Sequence, residues 1–150
     1  MGSVRERVEF IRIPEGAAQA GGQIARRVIP PAVKVRRQAK GTLAFSSMMS
    51  GHDENARDPQ HRMPERVEEE AEVLFRHIRQ FAEAAGGTLS DIVDITLYVM
   101  DDAYRATAHN QVAKNFPDPA RRPAYHVLNV APSGLRNERI QAVVAVAIGG

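Results

Sequence analysis

The chain has 150 residues, 43% hydrophobic and 25% charged, with nine prolines, eleven glycines and no cysteine. That length and apolar fraction suit one domain around a single core and argue against a disordered chain; no window approaches the ~18 apolar residues a membrane span needs. Lacking cysteine, the chain has no disulfide, no thiolate metal site and no cysteine nucleophile.

The formal net charge is +2, unevenly spread: residues 1–62 hold eleven Lys/Arg against six Asp/Glu, and residues 63–150 nine against twelve. Arg26-Arg27 and Arg36-Arg37 fit a solvated surface better than a nucleic-acid face. With only five Phe and three Tyr, the interleaved aromatics of a single-strand binder are missing. Nucleic acid is therefore not an expected partner. Met1–Phe10 has no apolar signal core, so a cytoplasmic location is expected.

In chain order, Val8–Ile13 reads as a short strand. Ala32–Arg37 and Thr42–Ser47 read as a hairpin turning at Lys40-Gly41. Gly51–Met63 is polar and aperiodic, as in a mobile loop. From Pro64 to Ala85, the residues Val67, Ala71, Leu74, Ile78, Phe81 and Ala85 recur at steps of three or four and predict an amphipathic helix. Glu65, Glu68, Glu69 and Glu70 suit its positive end, which is a structural account of the acidic run, and Gly86-Gly87 supplies a left-handed stop. The period then changes to two over Ile92–Val99, predicting a strand with one buried face. Asp101-Asp102 opens a second helix, Ala103 to Asn115, which Phe116-Pro117 ends. Strands near Ala124–Val130 and Arg139–Ile148 follow, separated by Pro132-Ser133-Gly134.

This order predicts an α+β architecture, a mixed sheet with two helices packed on one face. The last strand carries Ala and Val on both faces, so the uncovered face calls for other copies of the chain and a homo-oligomer is expected.

Histidines at 52, 61, 77, 109 and 126 show no metal-binding spacing, and the loop cluster His52-Asp53-Glu54 reads as solvated. His77 is assigned to the polar side of the long helix. With no nucleophile elbow and no phosphate or dinucleotide glycine loop, neither metal nor organic cofactor is expected. What remains is Pro119-Ala120-Arg121-Arg122-Pro123-Ala124-Tyr125-His126-Val127. An arginine fixed at a strand entrance can offer a two-pronged donor to a carboxylate, the alternative being a surface pair that aids solubility.

The chain resembles the RidA/YjgF family of enamine and imine deaminases. The likeness runs over about residues 31–148, leaving 1–30 as an N-terminal extension of a single 1–150 domain. It rests on Gly41-Thr42-Leu43-Ala44-Phe45-Ser46-Ser47, on Glu83-Ala84-Ala85-Gly86, and on Leu89-Ser90-Asp91-Ile92-Val93 leading into Thr96-Leu97-Tyr98-Val99. Asn110 before Phe116, the Pro-Ala-Arg segment and Arg139-Ile140-Gln141 complete it. The resemblance implies a chorismate-mutase-like fold, a homotrimer with sites between subunits, and hydrolysis of enamine or imine acids to ammonia and a 2-keto acid. By the same likeness Arg122, with Arg121 as second choice, holds the substrate carboxylate. If Arg122 points into the site, Tyr125 and Val127 take the buried phase. Ser47 and Asn110 match the family's strand serine and helix asparagine, and Met48 and Ala124 line the pocket.

Three departures stand out. Met48 replaces the family's glycine, and no aromatic residue occurs around Pro31-Ala32. Gln141 replaces the glutamate of the family's Ile-Glu-Ile motif; an amide can hold a water but cannot take its proton. The substrates implied are 2-aminoacrylate-type or larger 2-aminomuconate-type acids. A non-catalytic, carboxylate-binding trimer and a ribonuclease-like relative stay open as alternatives; for the last, the sequence shows no evident histidine pair.

Overall fold

Long apolar strands need partners on their edges and cover on their faces, and the chain meets the two needs separately. The computed structural model describes residues 8–11, 32–35, 41–52, 63–131 and 137–149. β1 (Val8–Ile11) pairs antiparallel with β2 (Ala32–Val35) in a two-stranded sheet. A five-stranded sheet is formed by β3 (Gly41–Phe45), β4 (Met49–Ser50), β5 (Ile92–Val99), β6 (Ala124–Asn129) and β7 (Ile140–Gly149), in the order β3-β7-β5-β6, with β4 also on β7. Among the described pairings β5 and β6 alone run parallel, and a helix connects them, as a parallel crossover requires. Among the described residues, β2 pairs with β1, and β3 with β7. This corrects the expected 32–37/42–47 hairpin. A Lys-Gly turn is a weak local signal, whereas the ten-residue β7 offers β3 a full ladder from Gly41↔Gly149 to Phe45↔Ala145.

The long helix α1 (Val67–Ala84) lies inside the predicted 64–85 span, and Gly86 at φ 89° ends it, where an L side chain would be strained. After it, Thr88 and Asp91 cap a single 3₁₀ turn: the Thr88 N–H donates to Asp91 Oδ2 at 2.8 Å and the Ser90 N–H to Thr88 Oγ1 at 3.2 Å. The second helix begins at Arg105, two residues after the expected Ala103. Asp102–Tyr104 is a 3₁₀ turn, capped by Asp101 accepting from the Ala103 N–H at 2.8 Å, and α2 runs Arg105–Asn115.

Both helices pack on one sheet face. Leu74, Phe75 and Ile78 of α1 and Ala108 and Val112 of α2 meet Ile95, Leu97, Val99, Tyr125, Ile140, Val144 and Val146 in one continuous core. The opposite face has a small buried cluster, Val93, Ala145 and Ala147, while Leu43, Phe45 and Leu128 stay exposed, Phe45 by 70%. The architecture is thus a mixed α+β fold with two helices on a sheet. No helix among the described residues is long and apolar enough to cross a membrane.

Candidate active site

One end of α1 and the start of β7 are locked by a buried ion pair. The Glu70 carboxylate, fully buried, accepts from the Arg139 N–H at 2.7 Å, Arg139 Nε at 2.5 Å and the Ile140 N–H at 3.1 Å. Arg139 also donates to the Glu65 and Pro64 carbonyls, so both charges are fully hydrogen-bonded, the condition under which a buried pair is tolerated. Glu70 is therefore a clamp as well as part of an acidic first turn. Beside it, Gly51 passes so close to α1 that a Cβ would lie 2.0 Å from the Glu70 carbonyl oxygen. Only glycine allows this approach, and the approach brings β4 and His52 against the helix.

The result is a cavity of about 520 Å³ at the junction of β4, α1 and β7. Met48, Met49, Phe81 and Ala84 supply its apolar wall, and Ser50, His52, His77, Gln80, Glu138 and Gln141 its polar groups. Ser50 lies opposite Gln141 in the ladder. The Ser50 hydroxyl is 2.6 Å from His52 Nδ1, and His77 Nδ1 is 2.8 Å from the Ser50 carbonyl, to which it can only donate. The two imidazole centroids lie 5.8 Å apart. The Gln141 amide donates to Glu138 Oε2.

His77 is buried, with 8% exposed, which corrects its assignment to the polar side of the helix. The buried stripe of α1 is broadened by Glu70 and His77 because β4 covers the helix flank as well as the sheet covering its face. The two histidines form a pair that no spacing in the sequence reveals, since 25 positions separate them. No group of three or more His, Asp or Glu among the described residues is placed to hold a metal, and Asp53 and Glu54 lie outside those residues.

Of the residues singled out by sequence, the fold brings Gln141 and Met48 into this cavity. Ser47, between β3 and β4, and Asn110, on the outer side of α2, are exposed. Ala124 is half-buried at the start of β6, opposite Asp94. Arg122 is 6% exposed and its Nε donates to the Phe116 carbonyl at 2.7 Å, whereas Arg121 is exposed at the mouth of a smaller, 240 Å³ hollow with Ser90, Asn115 and Asp118. The buried phase expected of Tyr125 and Val127 is present, Tyr125 fully buried and Val127 half-buried against the helix-side core. The Tyr125 hydroxyl lies 3.1 Å from His109 Nδ1; burial pushes its phenol up to about 12, against a smaller opposing effect of Arg122.

Three comparisons bear on this geometry. The family model described as Endoribonuclease L-PSP matches residues 33–145. No curated protein matches the chain. Among solved structures, YyfB of Yersinia pestis, described as a protein of unknown function of the conserved Rid family, superimposes with a TM-score of 0.73 at 14% identity, over 95% of this chain and 99% of that one. RidA of an Antarctic Psychrobacter gives 0.59 at 23% identity, over 78% and 93%. A candidate endoribonuclease of Thermotoga maritima gives 0.64 at 24% identity, over 73% and 82%. At these identities the structures speak for the fold, and the family model spans about three quarters of the sequence. The chain belongs to the Endoribonuclease L-PSP family, the YjgF/RidA family.

Proposed function

We propose that the protein is a hydrolytic deaminase of enamine and imine acids, 2-aminoacrylate-type or larger 2-aminomuconate-type, releasing ammonia and a 2-keto acid. The observation that carries this reading is the Gln141 amide on the wall of a 520 Å³ cavity, at the position of the glutamate in the family it belongs to. A cavity of that size suits a small acid, and its mixture of thioether, amide and imidazole groups suits a polar head on a short carbon chain.

The working form would be a homotrimer of chorismate-mutase-like subunits. The exposed Leu43, Phe45 and Leu128 on the uncovered sheet face support this, because such a patch is normally covered. A carboxylate ligand would come from the arginine pair. Arg122, held at the strand entrance by its Nε donation to the Phe116 carbonyl, is the first candidate for that task and the exposed Arg121 the second. Losing the carboxylate-binding arginine should weaken a small carboxylate ligand about ten- to a hundredfold. Calorimetry on Arg121→Ala and Arg122→Ala tells the two apart.

The decisive experiment mixes purified protein with an amino-acid oxidase that generates imines and follows keto-acid release. Acceleration over the spontaneous rate is expected. No acceleration, with retained binding of small carboxylates, would leave the non-catalytic trimer. One observation favours a second reading: the His52–His77 pair could serve ribonuclease chemistry. An RNA-cleavage assay on the same preparation, with His77→Gln as control, addresses it.

A further inference from the structure

The cavity holds a carboxylate that the motif comparison passes over. Glu138 is the one acidic residue among the described residues lining it, and it contacts Gln141 directly. On a regular strand, residues three apart face opposite ways. Here Glu138 precedes the first residue of β7, Ile140, and follows Asn137, whose φ of 52° is left-handed, a conformation Asn tolerates better than most residues. With residues 138 and 139 outside the strand, alternation does not hold the two to opposite faces, and both side chains line one cavity. Their contact also settles the orientation of the amide: a Gln141 oxygen facing Glu138 Oε2 would repel it, so the NH₂ group points at the carboxylate and the amide oxygen is left toward other ligands.

We infer that Glu138 is the general base for the deamination proposed above, with Gln141 holding the attacking water; the inference rests on that reading. A water set between the two has an acceptor for each hydrogen, the Gln141 oxygen and the Glu138 carboxylate, and keeps a lone pair for the C=N carbon. In the first step the water oxygen bonds that carbon of a protonated imine, the C=N π pair moves to nitrogen, and the released proton goes to Glu138. Glu138 then returns the proton to the amine nitrogen. The C–N bond breaks with its electron pair on the leaving ammonia, and the remaining hydroxyl loses its proton to Glu138 as the keto group forms. That last proton passes to the ammonia, giving ammonium, so the net change is protonated imine plus water to keto acid plus ammonium. The other titratable groups facing this carboxylate across the cavity are His52 beyond β4 and His77 on α1. The chain has thus moved the carboxylate by three positions rather than lost it.

The test compares wild type, Glu138→Gln, the exchange Glu138→Gln/Gln141→Glu, and Glu68→Gln as a surface control, in the oxidase-coupled assay. In Glu138→Gln the new side chain still accepts from the Gln141 amide, so a merely structural role would be preserved. The expected result is a kcat reduced about a hundredfold or more, KM little changed, and loss of the acid limb of the pH–rate profile. The exchange variant, which restores one carboxylate to the pair, should recover at least a tenth of the wild-type kcat. Unchanged kcat and pH profile in a folded Glu138→Gln protein would overturn the inference while leaving the deaminase reading in place. If Glu138→Gln fails to fold by circular dichroism, the exchange variant decides: a kcat above a tenth of wild type supports the inference, and a folded protein below a hundredth overturns it. A wild type that does not accelerate imine hydrolysis removes both.

Discussion

The two faces of the same sheet behave differently, although β7 carries Ala and Val on both of them. Under α1 and α2, Ile95, Leu97, Val99 and Val144 reach 0–1% exposure in one core. On the reverse, Val93, Ala145 and Ala147 make an island, and Phe45 and Leu43 of β3 and Leu128 of β6 remain in water. Strand patterning alone therefore does not decide burial. The helical layer does: the two α-helices among the described residues cover one face.

Breaking the covered face should have the largest effect. Arg139→Ala leaves the fully buried Glu70 carboxylate with its charge uncompensated, a loss of about 3–5 kcal/mol, read by denaturant unfolding. Glu70→Gln/Arg139→Met, which removes both charges, should recover a good part of it.

The second contrast sets Leu97→Ala against Phe45→Ala. Leu97 is fully buried beneath the helices, and its truncation should cost about 2–5 kcal/mol. Phe45 is 70% exposed, so truncating it should change the stability of a single chain by less than about 0.5 kcal/mol. If this face joins copies of the chain, however, Phe45→Ala should lower the mass in light scattering from three chains toward one. An unaltered mass would place the subunit contact elsewhere.

The smallest effects are in pH, with opposite signs on the two faces. Burial, helped by Arg105, holds the His109 imidazole below its usual range. Its contribution to stability is present above the ordinary histidine range, about 6.5, and is lost as pH falls through the lowered value. His109→Gln should flatten the stability profile on that acid side. On the open face, burial raises the Asp94 carboxyl against a smaller lowering by His126, whose Nε2 lies 3.9 Å away. The stability that accompanies its protonated form is lost as pH rises through the raised value. Asp94→Asn should therefore raise the stability slightly near neutral pH, by less than about 0.5 kcal/mol because water screens the site. A larger gain would indicate that the open face is covered in solution.

Local chemistry in the sequence determined the elements. The three-to-four spacing from Val67 onward with its Gly86 stop, the two-residue period of Ile92–Val99 and the Asp101 cap each act within a few residues, and the structure carries all three. What lies far apart in the chain was decided only in three dimensions. β3 chose β7 over the nearby β2, because a ten-residue partner outweighs a short turn. His77 entered the interior because β4, held close by Gly51, covered a flank of α1 that its own periodicity leaves polar. In the candidate site Gln141 was legible as a departure from a motif, but its carboxylate neighbour was not. Period-two alternation assigns Glu138 to the opposite face, but Glu138 lies two residues before β7 begins at Ile140, where strand alternation does not hold. Side-chain periodicity is a property of uninterrupted backbone, so it specifies helices and strands from sequence. Sites form where that regularity is broken and distant segments meet, and there only the tertiary structure decides.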